Sequence, residues 1–318
     1  MAFEQSIAQY QNQESGSLMD AVDARTNLAG SNKMEILLFS IGSNEIFGIN
    51  VFKVKEVTRA IRITKTPNMP HGVDGIVSLR GHVMPVLNLA KFMGLGNPDE
   101  QKVMMVSEYS RHVLGFLVRD VDRIIRVDWD KVRAAEGMVS NNSNLITAIT
   151  ELPNGSLVSI LDVEQILSTA FGDAVVGNID KLEKGHEKSV FFVDDSAVAR
   201  KKIAEVLDKM GVKHIQAHNG QEAWERLKGL ADSAQNTGVD LHEQIQVVLV
   251  DAEMPEMDGY VLTQHIKADR RFDNIPVVMH SSLSSEANRA MGKRVGVDSY
   301  VSKFDAVALS ETLRPLLM

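Results

Sequence analysis

Not one of the 318 residues is a cysteine. That excludes disulfides, thiolate nucleophiles and Cys-built zinc sites, and it suits a reducing compartment such as the cytosol. Also missing is any uninterrupted apolar run near the roughly 18 residues that suggest a membrane span. The segment Met1–Gln13 is mostly polar, with Glu4 as its sole charged side chain, and it lacks the basic-then-apolar order of a secretory leader. There is no basic arm: the longest basic run is Arg200-Lys201-Lys202, and the formal net charge is −8. Polyphosphate repels such a chain, which argues against non-specific nucleic-acid binding. Gly-rich phosphate loops and nucleophile-elbow serines are absent. His71 has only Asp74 nearby and His82 has no acidic neighbour, too little for a zinc site.

What is present is ordinary globular material, 44% hydrophobic and 24% charged, in a length that suits two domains. Residues 1–32 form a polar tail whose Leu18, Met19, Val22 and Leu28 permit a short amphipathic helix. Residues 33–170 are β-rich, with short apolar segments at Glu35–Ile41, Ile46–Val51, Gly75–Leu79, Val83–Leu89, Val103–Ser107, Val113–Val118, Ile124–Val127 and Leu157–Ile160. That spacing predicts barrels or a sandwich, with short helices at Val51–Thr58 and Asp162–Ser168. Residues 171–187 are polar and Gly-containing and read as a linker. From Lys188 to Met318 the rhythm changes. Buried strands at Val190–Val193, Val212–Ala217, Val247–Val250, Val277–His280 and Ser299–Val301 alternate with amphipathic helices. This predicts a doubly wound parallel sheet, and in such sheets ligands bind beyond the carboxyl ends of the strands. Ala231–Gln246 is expected to be a surface insertion.

Chemistry collects at those strand ends. Asp194 and Asp195 follow the first strand, Asp251 the third and Ser281 the fourth, and Lys303 comes after the fifth. Three adjacent carboxylates repel one another and raise their own pKa values unless a cation intervenes. An all-oxygen set favours a hard ion, Mg²⁺ being the natural choice. Asp251 can then attack phosphorus as a carboxylate nucleophile, with Lys303 neutralising the incoming group and Ser281 donating a hydrogen bond to it. Each residue also has a plainer reading: the Asp pair as a helix N-cap, Lys303 as a surface lysine. It is the ordered conjunction that points to phosphoryl chemistry.

Several runs in this half resemble response-regulator receiver domains. They are Phe191-Phe192-Val193-Asp194-Asp195-Ser196, then Val250-Asp251-Ala252-Glu253-Met254-Pro255-Glu256-Met257-Asp258-Gly259, Pro276–Ser282, and Tyr300-Val301-Ser302-Lys303. The resemblance implies a flavodoxin-like five-stranded fold and phosphorylation of Asp251 by a histidine kinase. It also implies Mg²⁺ held by Asp195, Asp251 and the Glu253 backbone carbonyl, with Asp194 assisting through water. Finally it implies a switch in which Ser281 moves towards the phosphoryl group and Tyr300 turns inward; a half-buried strand aromatic is the equal alternative for Tyr300. Phe304 stands where the family usually has proline, often cis; a non-proline cis bond costs about 2.5–4 kcal/mol, which favours trans here. Glu253 and Leu283 occupy positions that shape water access to the phosphoryl group.

Upstream, Pro67-Asn68-Met69-Pro70 and the run from Gly75 through Leu79-Arg80-Gly81-His82-Val83-Met84-Pro85-Val86 to Leu89 resemble CheW-like domains, with Ser78 replacing the more frequent Asn. Phe47-Gly48-Ile49, Gly115–Val118 and Leu157–Asp162 extend the match. The resemblance implies two interlocked SH3-like β-barrels that contact the cytoplasmic tip of a chemoreceptor and the CheA histidine kinase, with Arg80 and Gly81 at the contact; an ordinary exposed hairpin arginine is the bland alternative. No chain follows Met318, so the receiver's output is expected to act through the upstream domain or a partner. Together the halves resemble CheV-type chemotaxis coupling proteins. Such a protein would be a non-enzymatic cytoplasmic adaptor, recruited to membrane-associated receptor arrays without inserting into the bilayer and retuned by phosphorylation of Asp251. The alternative is a phosphate sink in which the CheW-like domain serves only localisation.

Overall fold

The computed structural model describes residues 33–109, 112–135, 145–172, 176–281, 286–303 and 305–318. The expected tail helix, Leu283 and Phe304 lie outside these residues.

The N-terminal half is two β-sheets. The first, six-stranded sheet runs β8-β1-β2-β11-β10-β9, from β1 (Lys33–Ser40), β2 (Ile46–Asn50), β8 (Asp120–Asp128), β9 (Arg133–Ala134), β10 (Ile146–Glu151) and β11 (Leu157–Leu161). The second, five-stranded sheet runs β3-β6-β7-β5-β4, from β3 (Val54–Arg59), β4 (Val73–Leu79), β5 (His82–Asn88), β6 (Val103–Tyr109) and β7 (His112–Val118). Most pairs are antiparallel, but β2–β11 and β5–β7 are parallel. The reason β1 reads as a nearly unbroken apolar run is that both of its faces are buried. Side chains alternate across a strand, so Ile36 and Leu38 enter the first sheet's own core beside Trp129, Val158 and Ile160. Leu37 and Phe39 enter a core shared by both sheets, with Leu87, Met105, Phe116 and Ile166. The second sheet likewise holds its own core of Val77, Met84, Val86, Met104 and Val106. This is the expected double-barrel arrangement.

Two local readings are corrected. Val51–Thr58 is not a helix: one 3₁₀ turn at Val51–Lys53 leads straight into β3, whose burial alternates and which pairs with β6. The β-branched Val54, Val57 and Thr58 fit a half-buried edge better than a helix. β10 was not anticipated, and a short helix α1 (Leu89–Met93), N-capped by Asn88, follows β5. The helix expected near Asp162–Ser168 is α2 (Val163–Phe171), with Asp162 accepting from the Gln165 N–H as its cap.

The C-terminal half is a five-stranded parallel sheet in the order β13-β12-β14-β15-β16. Its strands are β12 (Ser189–Val193), β13 (Lys213–Ala217), β14 (Val247–Asp251), β15 (Val277–Ser281) and β16 (Ser299–Ser302). Helices α3 (Ala197–Met210), α4 (Gly220–Thr237), α5 (Leu241–Gln244), α6 (Gly259–Ala268), α7 (Glu286–Val295) and α8 (Ala306–Leu317) complete it. Phe191, Val193, Val248 and Val250 face one core with α4 and α6, while Val190, Phe192 and Leu249 face the other with α3 and α8. The expected surface insertion at Ala231–Gln246 is instead a longer α4 followed by α5, with Ala231, Ala234, Leu241 and Ile245 buried. The later part of the linker is tied to this half: Val176 and Leu182 sink into its core, Lys209 Nζ donates to the Val176 carbonyl, and Arg314 donates to the carbonyls of Asp180 and Lys181.

Gly259, the first residue of α6, lies so close to β14 that a Cβ there would sit 2.0 Å from the Asp251 carbonyl oxygen. Gly259→Ala is therefore expected to destabilise the receiver half by about 1–3 kcal/mol. A denaturant titration of the two proteins followed by circular dichroism will show whether the midpoint falls.

Candidate functional site

The order reversal in the parallel sheet falls at β12, between β13 and β14, and opens a crevice at the carboxyl ends of the strands. Asp194 and Asp195 leave β12 there, and Asp251 ends β14. One carboxylate oxygen from each of the three lies within 4.8 Å of the others. The N-cap reading of the Asp pair does not hold. Ser196 is the cap of α3, its hydroxyl accepting from the Ala199 N–H, while Asp194 Oδ1 accepts from the Ser196 N–H at 3.0 Å. Arg200 braces the turn from below, donating to the backbone carbonyls of Asp194 and Asp195 at 2.9 Å each.

Lys303 enters from the end of β16. Its ammonium is 2.7 Å from Asp251 Oδ2 and 2.9 Å from Asp194 Oδ2. Ser281 ends β15, and its carbonyl accepts from the Lys303 N–H, so strand pairing ties the Lys303 backbone to the end of β15. Asp194, Asp251, Ser281 and Lys303 are all buried. Burial, with Asp195 adding repulsion, pushes Asp194 up to about 6 despite Lys303. Burial likewise pushes Asp251 well above the usual carboxylate range, against the pull of Lys303 and with Asp194 and Asp195 adding to the rise. Burial alone would lower Lys303, but the carboxylates of Asp194 and Asp251 outweigh it and hold the ammonium charged. His280, beneath the site, is held neutral, at about 3, by burial and by Lys303. A carboxylate cluster short of positive charge fits a hard cation. Asp195 Oδ1 supports the fit, being buried without a hydrogen-bond partner among the described residues.

Tyr300 on β16 is half-buried beside Ala252, Tyr260 and Met279, with the Arg289 guanidinium 5.6 Å from its ring centroid. Burial pushes its phenol up to about 12, against a Ser281 hydrogen bond that lowers it.

Sequence reading missed the far wall of the site, which the β domain supplies. Thr147 on β10 donates from Oγ1 to Asp195 Oδ2 at 2.9 Å. Asn50, ending β2, donates from Nδ2 to Glu253 Oε2 at 3.0 Å. In the next turn Lys53 Nζ is 2.9 Å from Glu164 Oε2 on α2, with side chains only 11% and 1% exposed. Burial pushes the Glu253 side chain up to about 7, with Lys53 the largest opposing charge. Burial would raise Glu164, yet Lys53 and then Lys303 hold it at about 2.

The family model for CheW-like domains matches residues 35–171, and that for response regulator receiver domains matches residues 190–314. Chemotaxis protein CheV3 of Helicobacter pylori is 32% identical over 278 residues, covering 86% of this chain and 88% of that protein. The chain belongs to the CheV family of chemotaxis coupling proteins. CheV1 of the same organism is 26% identical over 320 residues, 93% of this chain and 97% of its own. Chemotaxis protein CheW of Klebsiella aerogenes is 31% identical over 160 residues, 49% of this chain and 95% of its own. As a CheV-type protein the chain is a chemotaxis coupling adaptor carrying a phosphorylatable receiver. No helix among the described residues is long and apolar enough to cross a membrane.

In this CheV-type chain Arg80 and Gly81 form the two-residue turn between β4 and β5, with φ of 51° and 83°. Both values are positive, as a primed hairpin turn demands. Arg80 is presented outward, its side chain 71% exposed and 3.2 Å from Glu56 Oε1. This tip is separate from the acidic site.

Lys53→Met strands the Glu164 carboxylate in a buried setting and is expected to cost about 3–5 kcal/mol, most of it regained in Lys53→Met/Glu164→Met. The sign with pH follows from Glu164. Its folded value of about 2 is below its ordinary 4.5, so its contribution is full above 4.5 and lost as pH falls towards 2. Denaturant midpoints measured across that range will show an acid-side loss in the wild type that shrinks in the double variant.

Proposed function

We propose that Asp251 is the phosphoacceptor of a coupling adaptor whose β domain docks on the CheA kinase and on chemoreceptor tips. The observation that carries this is the Asp251 carboxylate, set among two further carboxylates and 2.7 Å from a buried ammonium. Asp195, Asp251 and the Glu253 backbone carbonyl would hold Mg²⁺, with Asp194 assisting through water. Bound there, Mg²⁺ supplies charge neutralisation and orientation for the phosphoryl oxygens. In the transfer step an Asp251 oxygen forms the new O–P bond as the P–N bond to the kinase's phosphohistidine breaks. The electron pair leaves with the imidazole, which takes a proton from solvent. Lys303 pairs with the phosphoryl oxygens and Ser281 donates a hydrogen bond to them, drawing the end of β15 towards the group while Tyr300 turns inward. Arg80, at the Arg80-Gly81 tip, offers a planar multi-donor side chain to a receptor or kinase surface. The protein's own phosphorylation and dephosphorylation are its only chemistry. Its place is the cytoplasmic face of receptor arrays, reached through partners. The contact between site and β domain favours a regulated coupler over a sink whose β domain serves only localisation.

Phosphotransfer tests this directly. Label from purified, radiolabelled CheA should move to the wild-type chain in Mg²⁺, to Asp251→Asn not at all, and to neither when EDTA removes the metal. No transfer from a competent kinase to the wild type would reduce the chain to a bare coupling scaffold.

A further inference from the structure

The crevice at the strand ends of a doubly wound sheet is normally open, because loops alone border it. Here it is shut. Two side chains from the other domain reach across: Thr147 occupies Oδ2 of Asp195, and Asn50 occupies Oε2 of Glu253, two residues beyond the proposed phosphoacceptor. Around them Asn50, Lys53, Thr147 and Trp129 of the β domain and Asp195 and Glu253 of the receiver line a small cavity between the domains. Beside it a cleft of about 290 Å³ reaches Asp195 between Thr147 and the start of α4 at His218, Asn219 and Glu222. Asp251 itself is buried, only 3% exposed. The charges of this wall matter too. Glu164 acts electrostatically on Asp194, Glu253 and Lys303, and Asp162 lies next to Glu164 on the same cap. A phosphoryl group would add further negative charge in front of those two carboxylates, while the facing Lys53 is already matched by Glu164.

We propose that the β-domain face carrying Asn50, Lys53 and Thr147 is an autoinhibitory roof over the receiver's acidic site. It must lift for Asp251 to meet its phosphodonor, and it reseats poorly once a phosphoryl group is in place. The receiver's state then decides whether this face of the coupling domain is covered or free. This inference rests on the phosphoacceptor reading above.

The absence of native cysteine permits a direct test on the full chain. Cysteines placed at the exposed Leu157 and Val239, one in each domain, carry nitroxide labels. Pulsed electron paramagnetic resonance gives the interlabel distance with and without Mg²⁺ plus beryllofluoride, a phosphoryl mimic, and ¹⁹F NMR reports separately whether the mimic is bound. One short, narrow distance is expected without the mimic, and a second, longer population with it. Asn50→Ala/Thr147→Val should populate the longer distance without the mimic and speed phosphorylation by CheA about tenfold or more, the effect of removing two hydrogen bonds of ordinary net strength. Bound mimic with an unchanged distance distribution would overturn the roof and leave the phosphoacceptor standing. Failure of the mimic to bind at all would overturn both.

Discussion

Three carboxylates and one ammonium crowd together at the strand ends, all but Asp195 of them buried, and much of the receiver's local structure serves that arrangement. Asp194, Asp195 and Asp251 would not sit within 4.8 Å of one another in a low-dielectric pocket without compensation. Lys303 supplies part of it by spanning Asp194 and Asp251. The backbone supplies more. Arg200 pins the carbonyls of the Asp pair, Ser196 relieves that pair of capping duty, and Gly259 lets α6 press against the Asp251 carbonyl. Burial first, and then repulsion among the carboxylates, keeps the Asp194 and Asp251 carboxyls above their ordinary range despite Lys303, and the deficit of positive charge makes the cluster receptive to a divalent ion.

The β domain meets this cluster through its first sheet. The contact comes from the end of β2, the turn after it, β10 and α2, which packs against α3 of the receiver half. Two hydrogen bonds cross it, Thr147 to Asp195 and Asn50 to Glu253, and the β domain's own Lys53–Glu164 pair lies beside them. Such a contact is sensitive to charge, which suits a contact facing a phosphorylation site.

Much of the fold was legible because periodicity is local. The alternation of Val190–Val193 and of Val248–Val250 between two cores, and the four strand ends that deliver Asp194, Asp195, Asp251, Ser281 and Lys303, can be read a few residues at a time. Val51–Thr58 misled for the same reason: its spacing tolerates a helix, and only its pairing with β6, some fifty residues on, makes it a strand. β10 escaped notice because its threonines and Glu151 dilute the apolar signal. The roof could not be read at all. Asn50 and Glu253 are 203 positions apart, and Thr147 and Asp195 are 48 apart in different domains. No local pattern marks an asparagine or threonine whose partner is supplied by another domain.

The linker sets how far such a roof could move. From Val176 onwards the chain is fastened to the receiver half through Leu182, Lys209 and Arg314, while α2 of the β domain ends at Phe171. Between Gly172 and Val176 lie four Cα–Cα steps, which span at most about 15 Å however the chain runs. On so short a leash the two halves never become independent solutes. Each meets the other at an effective concentration in the millimolar range or above, so weak polar contacts suffice to close them, and a modest change of charge suffices to part them.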